Sequence, residues 1–250
     1  MRWNRDAARN PYYVLVLFGT LAICLGQNPS AQIAPGQTVN PAAPLQPAAP
    51  APALVMIDAA HGGSEPGALL NPAIPEKDVT LTFARRLRQE LAARGVSSTV
   101  IRDNDATLTT DQRAEIANAA RPALYVCLHA SSLGTGMRIY TAMIPAAGGD
   151  NRGPFVNWAT AQSVAKTRSL WIQQQITTAI RNNRFPVRSL PAPLRPLNNI
   201  ATPAIAIEIA PTTESVSQLA STDYQQMVCS ALANAIAAIA PALRTKVPIQ

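Results

Sequence analysis

From Leu54 onward, short apolar runs alternate with longer stretches in which apolar residues recur every three or four positions. The run Ala53–Asp58 (ALVMID) ends in a glycine-containing loop and predicts a buried strand. In Lys77–Arg94, Val79, Phe83, Leu87 and Leu91 fall four apart, which predicts an amphipathic helix stopped at Gly95. Ser98–Arg102 reads as a second strand. Thr109 and Gln112 have capping-box spacing and open a helix through Asn118–Ala120. Ala123–His129 is a further apolar strand, and Met137–Ile144 an edge-like one. Ser169–Asn182 is helical, with Ile172, Ile176 and Ile180 in register. Ala204–Glu208 is a strand. Thr222 and Gln225 open a last helix with Val228, Leu232, Ile236 and Ile239 as its stripe.

Strands alternating with helices predict an α/β fold: a single domain with a central, mostly parallel sheet flanked by helices on both faces. In such sheets, sites form beyond the carboxyl ends of the strands.

Residues 1–26 combine Arg2, Arg5 and Arg9 with an apolar run from Val14 to Gly26. That pattern predicts a secretory signal peptide, or an N-terminal anchor if it is retained. The run falls short of the ~20 residues a spanning helix needs. Ile23 before Cys24 is too large for a lipoprotein signal. Residues 27–53 are rich in Pro, Ala and Gln, and predict an extended linker without a core. The folded domain is expected over 54–243, with a tail at 244–250.

Charge and cysteine narrow the function classes. The net charge is +7, and between Ile116 and Ile207 the only acid is Asp150. This basic stretch is either a solvated surface or a face for a carboxylate-bearing substrate. It lacks the aromatic interleaving of single-stranded nucleic-acid sites, so no nucleic acid is expected. The three cysteines show no paired spacing, which excludes a disulfide framework and a thiolate zinc site. Cys127 and Cys229 read as small core residues.

The chain has only two histidines, His61 and His129. His61 follows the first strand and His129 closes another, so both sit at strand carboxyl ends. Glu76 opens the helix after the first strand, where ordinary helix-end chemistry also favours a carboxylate. Glu208 ends an apolar strand, and a carboxylate there is costly unless paired or bound to metal. Two His, one Glu and a second Glu fit a catalytic zinc site with three protein ligands and a separate acid/base. Two core histidines in a structural domain remain the alternative.

The local words point to one family. Ile57-Asp-Ala-Ala-His-Gly-Gly-Ser-Glu-Pro-Gly-Ala68 resembles the first metal motif of the zinc-dependent N-acetylmuramoyl-L-alanine amidases, the type-3 amidase family. Glu76-Lys-Asp-Val79 resembles the second motif, and Leu128-His-Ala-Ser131 the third. Arg102-Asp103, and Arg113 with Ala117-Asn118, are similar to further family words. Pro203–Glu208 resembles the closing strand, and Tyr224-Gln225-Gln226 matches in placement.

The resemblance runs from about Leu54 to about Ile239. It implies an amidase or zinc-exopeptidase-like fold, with Zn²⁺ on His61, Glu76 and His129 and Glu208 as general acid/base. The implied reaction is hydrolysis of the amide between N-acetylmuramic acid and L-Ala of the peptidoglycan stem peptide. Asp58 either orients His61 or caps the loop.

Ala60 stands where the family has Gly, and strains the loop if that position needs positive φ. Ser131 replaces a common Asn, and Ala210-Pro211 replaces Gly-Phe. The stretch Ile144–Arg168, whose only acid is Asp150, predicts no carboxylate plug over the metal. The expected partner is peptidoglycan, with a protein activator as a further candidate. A monomer is expected, exported to the periplasm or cell envelope, with membrane contact only through an uncleaved N-terminal segment. Another exported zinc peptidase and a non-catalytic peptidoglycan-binding module of the same fold are the alternatives.

Overall fold

The computed structural model describes residues 55–144 and 157–245. The expected signal or anchor and the linker lie outside the described residues, as do Asp150 and most of the tail.

Strands β1 (Val55–Ala59), β4 (Ser98–Val100), β5 (Leu124–Ala130), β6 (Gly136–Ala142), β7 (Val187–Ala192) and β8 (Ala204–Ala210) form a six-stranded sheet in the order β4-β1-β5-β8-β6-β7. The first four in that order are mutually parallel. β6 runs antiparallel to β8, and β7 follows β6 in parallel. The mostly parallel sheet agrees with the alternation of strands and helices along the chain. A two-stranded hairpin, β2 (Leu69–Asn71) and β3 (Ile74–Pro75), leads into the first helix.

Helices α1 (Glu76–Ala93), α3 (Lys166–Asn182) and α4 (Thr222–Arg244) cover one face. Their apolar stripes meet Val55, Ile57, Val126, Leu128, Ile139, Ile205 and Ile207, which point to that side because strand residues alternate. The predicted stripe of α4, Val228, Leu232, Ile236 and Ile239, is buried here. α4 is long and apolar enough to cross a bilayer, yet half of its most apolar window is buried, and it packs on α1 and α3.

α2 (Thr110–Ala120) lies on the other face, packing Ala114 and Ala117 against a smaller cluster with Met56, Tyr125, Cys127 and Ala206. Its start is the capping box expected from Thr109 and Gln112. Thr109 Oγ1 accepts from Gln112 N at 3.1 Å, and Gln112 Oε1 accepts from Thr109 N at 2.9 Å. Cys127 and Cys229 are free and buried.

Two expectations need correction. β6 is interior, not an edge, because β7 pairs along its outer side. β7 (VRSLPA) is mostly exposed and carries Pro191, so it has no apolar period to detect; an edge strand tolerates such a proline. Ala60 is not among the residues with positive φ. The left-handed conformation falls on His61, with φ 63°.

Candidate active site

The loop that presents His61 is built around buried cations. Arg102, 3% exposed, donates from Nε to the Ala59 carbonyl at 2.9 Å and from Nη2 to the carbonyls of Ala60 at 3.1 Å and Lys77 at 2.8 Å. Arg113 donates from Nη2 to the His61 carbonyl at 2.6 Å and from Nη1 to the Ala59 carbonyl at 2.9 Å. Arg113 also pairs with Asp58, which accepts from the Tyr125 hydroxyl as well. Asp58 therefore neither orients the His61 ring nor caps the loop with its own side chain: it lies on the face covered by α2 and neutralises a buried guanidinium. Gly67, with φ +68°, makes the room. A Cβ there would meet His61 Cδ2 at 2.6 Å and Glu76 Cβ at 2.9 Å.

His61, Glu76 and His129 come together, their ligand atoms all within 4.8 Å of one another. His61 comes from the loop after β1, Glu76 from the first turn of α1, and His129 from the end of β5. Glu76 Oε2 lies 3.2 Å from His61 Nε2, and Oε1 lies 2.9 Å from His129 Nδ1. The backbone N–H groups of Ala68 and Ala130 also donate to this carboxylate, each at 3.1 Å. Burial works against ionisation of Glu76, but the hydrogen bonds to His129 and His61 outweigh it and hold the group far below the usual range. The same bond to Glu76 raises the His61 imidazole above 6.5 against burial, with Glu65 adding to it. Glu65 Oε1 stands 3.1 Å from His61 Nδ1. That leaves Nε2 as the nitrogen facing the cluster.

The donor set fits a metal ion. A tetrahedral ion with bonds of ~2.1 Å spaces its ligands ~3.4 Å apart. The two carboxylate–imidazole contacts are already at that scale. Neutral imidazole and carboxylate donors suit zinc, and three protein ligands leave a position open.

Glu208 is the register partner of His129 across the parallel β5–β8 pair, so both side chains leave the same face of the sheet. It lines a cavity of about 360 Å³ with Glu76, His129, Ser131 and Tyr140. Glu208 Oε2 accepts from Arg138 Nε at 2.8 Å and from the Tyr140 hydroxyl at 2.7 Å. Burial alone would raise the Glu208 carboxyl, but hydrogen bonds from Arg138 and Tyr140 and the Arg138 charge bring it below 4.5. Burial and the bond to Glu208 push the Tyr140 phenol up to about 12.

Arg138, Tyr140 and Glu65 escaped the reading of the sequence. Arg138 and Tyr140 sit two apart at polar positions alternating with apolar ones, which in the sequence alone looks like a solvated strand face; in the structure both are partly buried. Ser131, in place of the expected Asn, uses its hydroxyl locally, Oγ accepting from Leu133 N at 3.1 Å. At the other departure, the Ala210 carbonyl accepts from the Tyr224 hydroxyl.

The family model described as N-acetylmuramoyl-L-alanine amidase matches residues 55–238. The chain belongs to that family. It is 30% identical over 128 residues to the N-acetylmuramoyl-L-alanine amidase AmiC of Neisseria meningitidis, a stretch that is 49% of this chain and 30% of that one. It is 37% identical over 90 residues to an endolysin of Bacillus phage SPP1, covering 35% of this chain and 33% of the relative. The chain thus spans about a third of the length of these relatives.

Among solved structures, the amidase Ami1 of Mycobacterium smegmatis superposes with a TM-score of 0.60 at 20% identity, covering 76% of this chain and 97% of that one. AmiC2 of Nostoc punctiforme superposes at 0.54 with 25% identity, covering 74% and 94%. The family match contains both histidines, Glu76 and Glu208.

Proposed function

We propose that this family member is a peptidoglycan amidase, hydrolysing the amide between the lactyl group of N-acetylmuramic acid and L-Ala of the stem peptide. The observation that carries the proposal is the convergence of His61, Glu76 and His129, two of which, Glu76 and His129, line one cavity with Glu208 in a family-matched domain. His61, Glu76 and His129 would hold Zn²⁺, which supplies Lewis acidity for a carbonyl oxygen and for water. Glu65 keeps the His61 ring oriented through Nδ1. Glu208 takes a proton from the attacking water as the C–O bond forms, then delivers it to the departing nitrogen as the C–N bond breaks. It ends as the carboxylate it began as, and one water is consumed. Its ionised state before the reaction is supported by the Arg138 and Tyr140 hydrogen bonds.

The same reading assigns residues 1–26 to export or anchoring, 27–53 to a tether, 54–243 to the catalytic domain and 244–250 to a tail. It places the protein in the periplasm or cell envelope, acting as a monomer.

Mass spectrometry of peptidoglycan digests tests the assignment. Wild type should release intact stem peptides with a free N-terminal Ala. Glu208→Ala should release them about 10²–10⁴-fold more slowly while keeping its zinc, and a chelator should stop wild type. Equal release by both proteins would remove Glu208 from the chemistry.

A further inference from the structure

Glu208 is gripped by more than proton transfer requires. Oε2 accepts two hydrogen bonds, from Arg138 Nε and the Tyr140 hydroxyl, at 2.8 and 2.7 Å. Arg138 Nη2 lies 2.7 Å from Oε1. The guanidinium therefore faces both oxygens of the carboxylate, hydrogen-bonded to Oε2 and in ion-pair contact with Oε1.

The backbone produces this contact. Arg138 is the register partner of Glu208 across the antiparallel β6–β8 pair, and Tyr140 follows two residues later on the same face. β6 is paired on both sides, so these side chains hang from a rigid ladder. The loop before β6 also holds the guanidinium: Arg138 Nη2 donates to the Leu133 carbonyl at 3.0 Å.

Stability does not account for the arrangement. The pair is partly open to solvent, at 23% and 22% side-chain exposure, and such pairs contribute little to folding. Each carboxylate oxygen offers about two lone-pair sites. Oε2 has both filled, whereas Oε1 accepts none of the side-chain hydrogen bonds among the described residues.

We propose that Arg138 and Tyr140 are positioning residues of this site: they pin Glu208 through Oε2 and leave Oε1 as the oxygen that exchanges the proton. This rests on the amidase reading above. The water O–H breaks toward Oε1 as the C–O bond forms, and the same proton leaves Oε1 for the amine nitrogen as the C–N bond breaks.

The test uses zinc-loaded full-length protein and stem-peptide release. Arg138→Gln should lower kcat about 10²-fold, the scale of a small misplacement of a reacting group, with KM within about twofold. Tyr140→Phe should lower kcat about tenfold, the loss of one hydrogen bond to a charged group. Arg138→Lys keeps the charge without the fork and should recover only part of the loss. Guanidinium salts added to Arg138→Ala should restore part of kcat. Zinc content should not change, and Tm should move by no more than about 2–4 °C.

A second readout does not need activity. In metal-free protein carrying ¹³C-labelled Glu, the Glu208 carboxyl should give one narrow resonance in wild type and an averaged one in Arg138→Gln. Unchanged or higher kcat in Arg138→Gln, or identical Glu208 resonances in the two proteins, overturns the proposal. A wild type that binds zinc and releases no peptide overturns the amidase reading instead, and the resonance still decides whether Arg138 orders the carboxylate.

Discussion

Replacing Arg113 by Met tests how the His61 loop is held. Asp58 is 0% exposed and Arg113 3%. Removing one partner of a buried pair typically costs about 3–5 kcal/mol, because the other charge is stranded. Two features place this site in the lower part of that range. Arg102 stays behind, still donates to the Ala59 carbonyl at 2.9 Å, and carries a second buried positive charge near Asp58. Burial and then the Arg113 charge depress the Arg102 guanidinium, so losing Arg113 also relieves a repulsion. We therefore expect a loss of about 3–4 kcal/mol, within the ~5–15 kcal/mol that a domain has available.

The double variant Asp58→Leu/Arg113→Met removes both charges. Its main cost is the stranded Tyr125 hydroxyl, about 1–3 kcal/mol, so it should be less damaged than Arg113→Met alone. Urea unfolding followed by circular dichroism, with chelator present so that metal binding does not enter, measures all three proteins. A loss below about 1 kcal/mol in Arg113→Met, or a double variant worse than the single, would refute the account of a paired buried charge.

Three further outcomes are expected. Zinc at about a thousand times its Kd should stabilise the protein by ~4 kcal/mol, and a melting temperature indifferent to zinc would speak against the His61–Glu76–His129 site. Glu208 has a folded carboxyl below 4.5, since burial, which raises it, is outweighed by Arg138 and Tyr140. Such a group contributes stability above pH 4.5 that fades as pH falls through the folded value. The stability difference between wild type and Arg138→Gln, measured in chelator, should accordingly be greatest near neutrality and close below that pH; a difference constant down to pH 3 contradicts the pairing. Ala60→Gly should destabilise the protein by about 0.5–1 kcal/mol through unfolded-chain entropy, because Ala60 does not have the positive φ that glycine would ease; a gain in denaturant midpoint would show strain at Ala60 after all.

What could be read from the residues, and what could not, divides by distance along the chain. The stripes of α1 and α4 and the Thr109–Gln112 box are local patterns, and a local pattern is enough to set them. His61 sits just beyond the end of β1, and His129 and Glu208 within the last residues of β5 and β8, so alternation and the strand-end rule brought them to one edge without any long-range information. The supports of these residues are different in kind. Asp58 sits three positions before His61, yet its partner is Arg113, 55 residues away. Arg138 meets Glu208 across 70 residues, through an antiparallel register that no pattern within β6 reveals. β7 stayed hidden for a related reason. An edge strand buries little on either face, so it has no apolar period, and only its pairing with β6 makes it a strand.

The Ala60 expectation failed by a single residue. The loop does need a left-handed turn, but takes it at His61, where bonds from Arg102 and Arg113 to the flanking carbonyls hold a conformation that a non-glycine residue adopts only at a cost of ~1–3 kcal/mol. That strain sits on the side chain that faces Glu76 and is over-determined by two buried arginines. The bonds from the arginines to the carbonyls of this turn thus belong to the same arrangement that sets Nε2 3.2 Å from the Glu76 carboxylate.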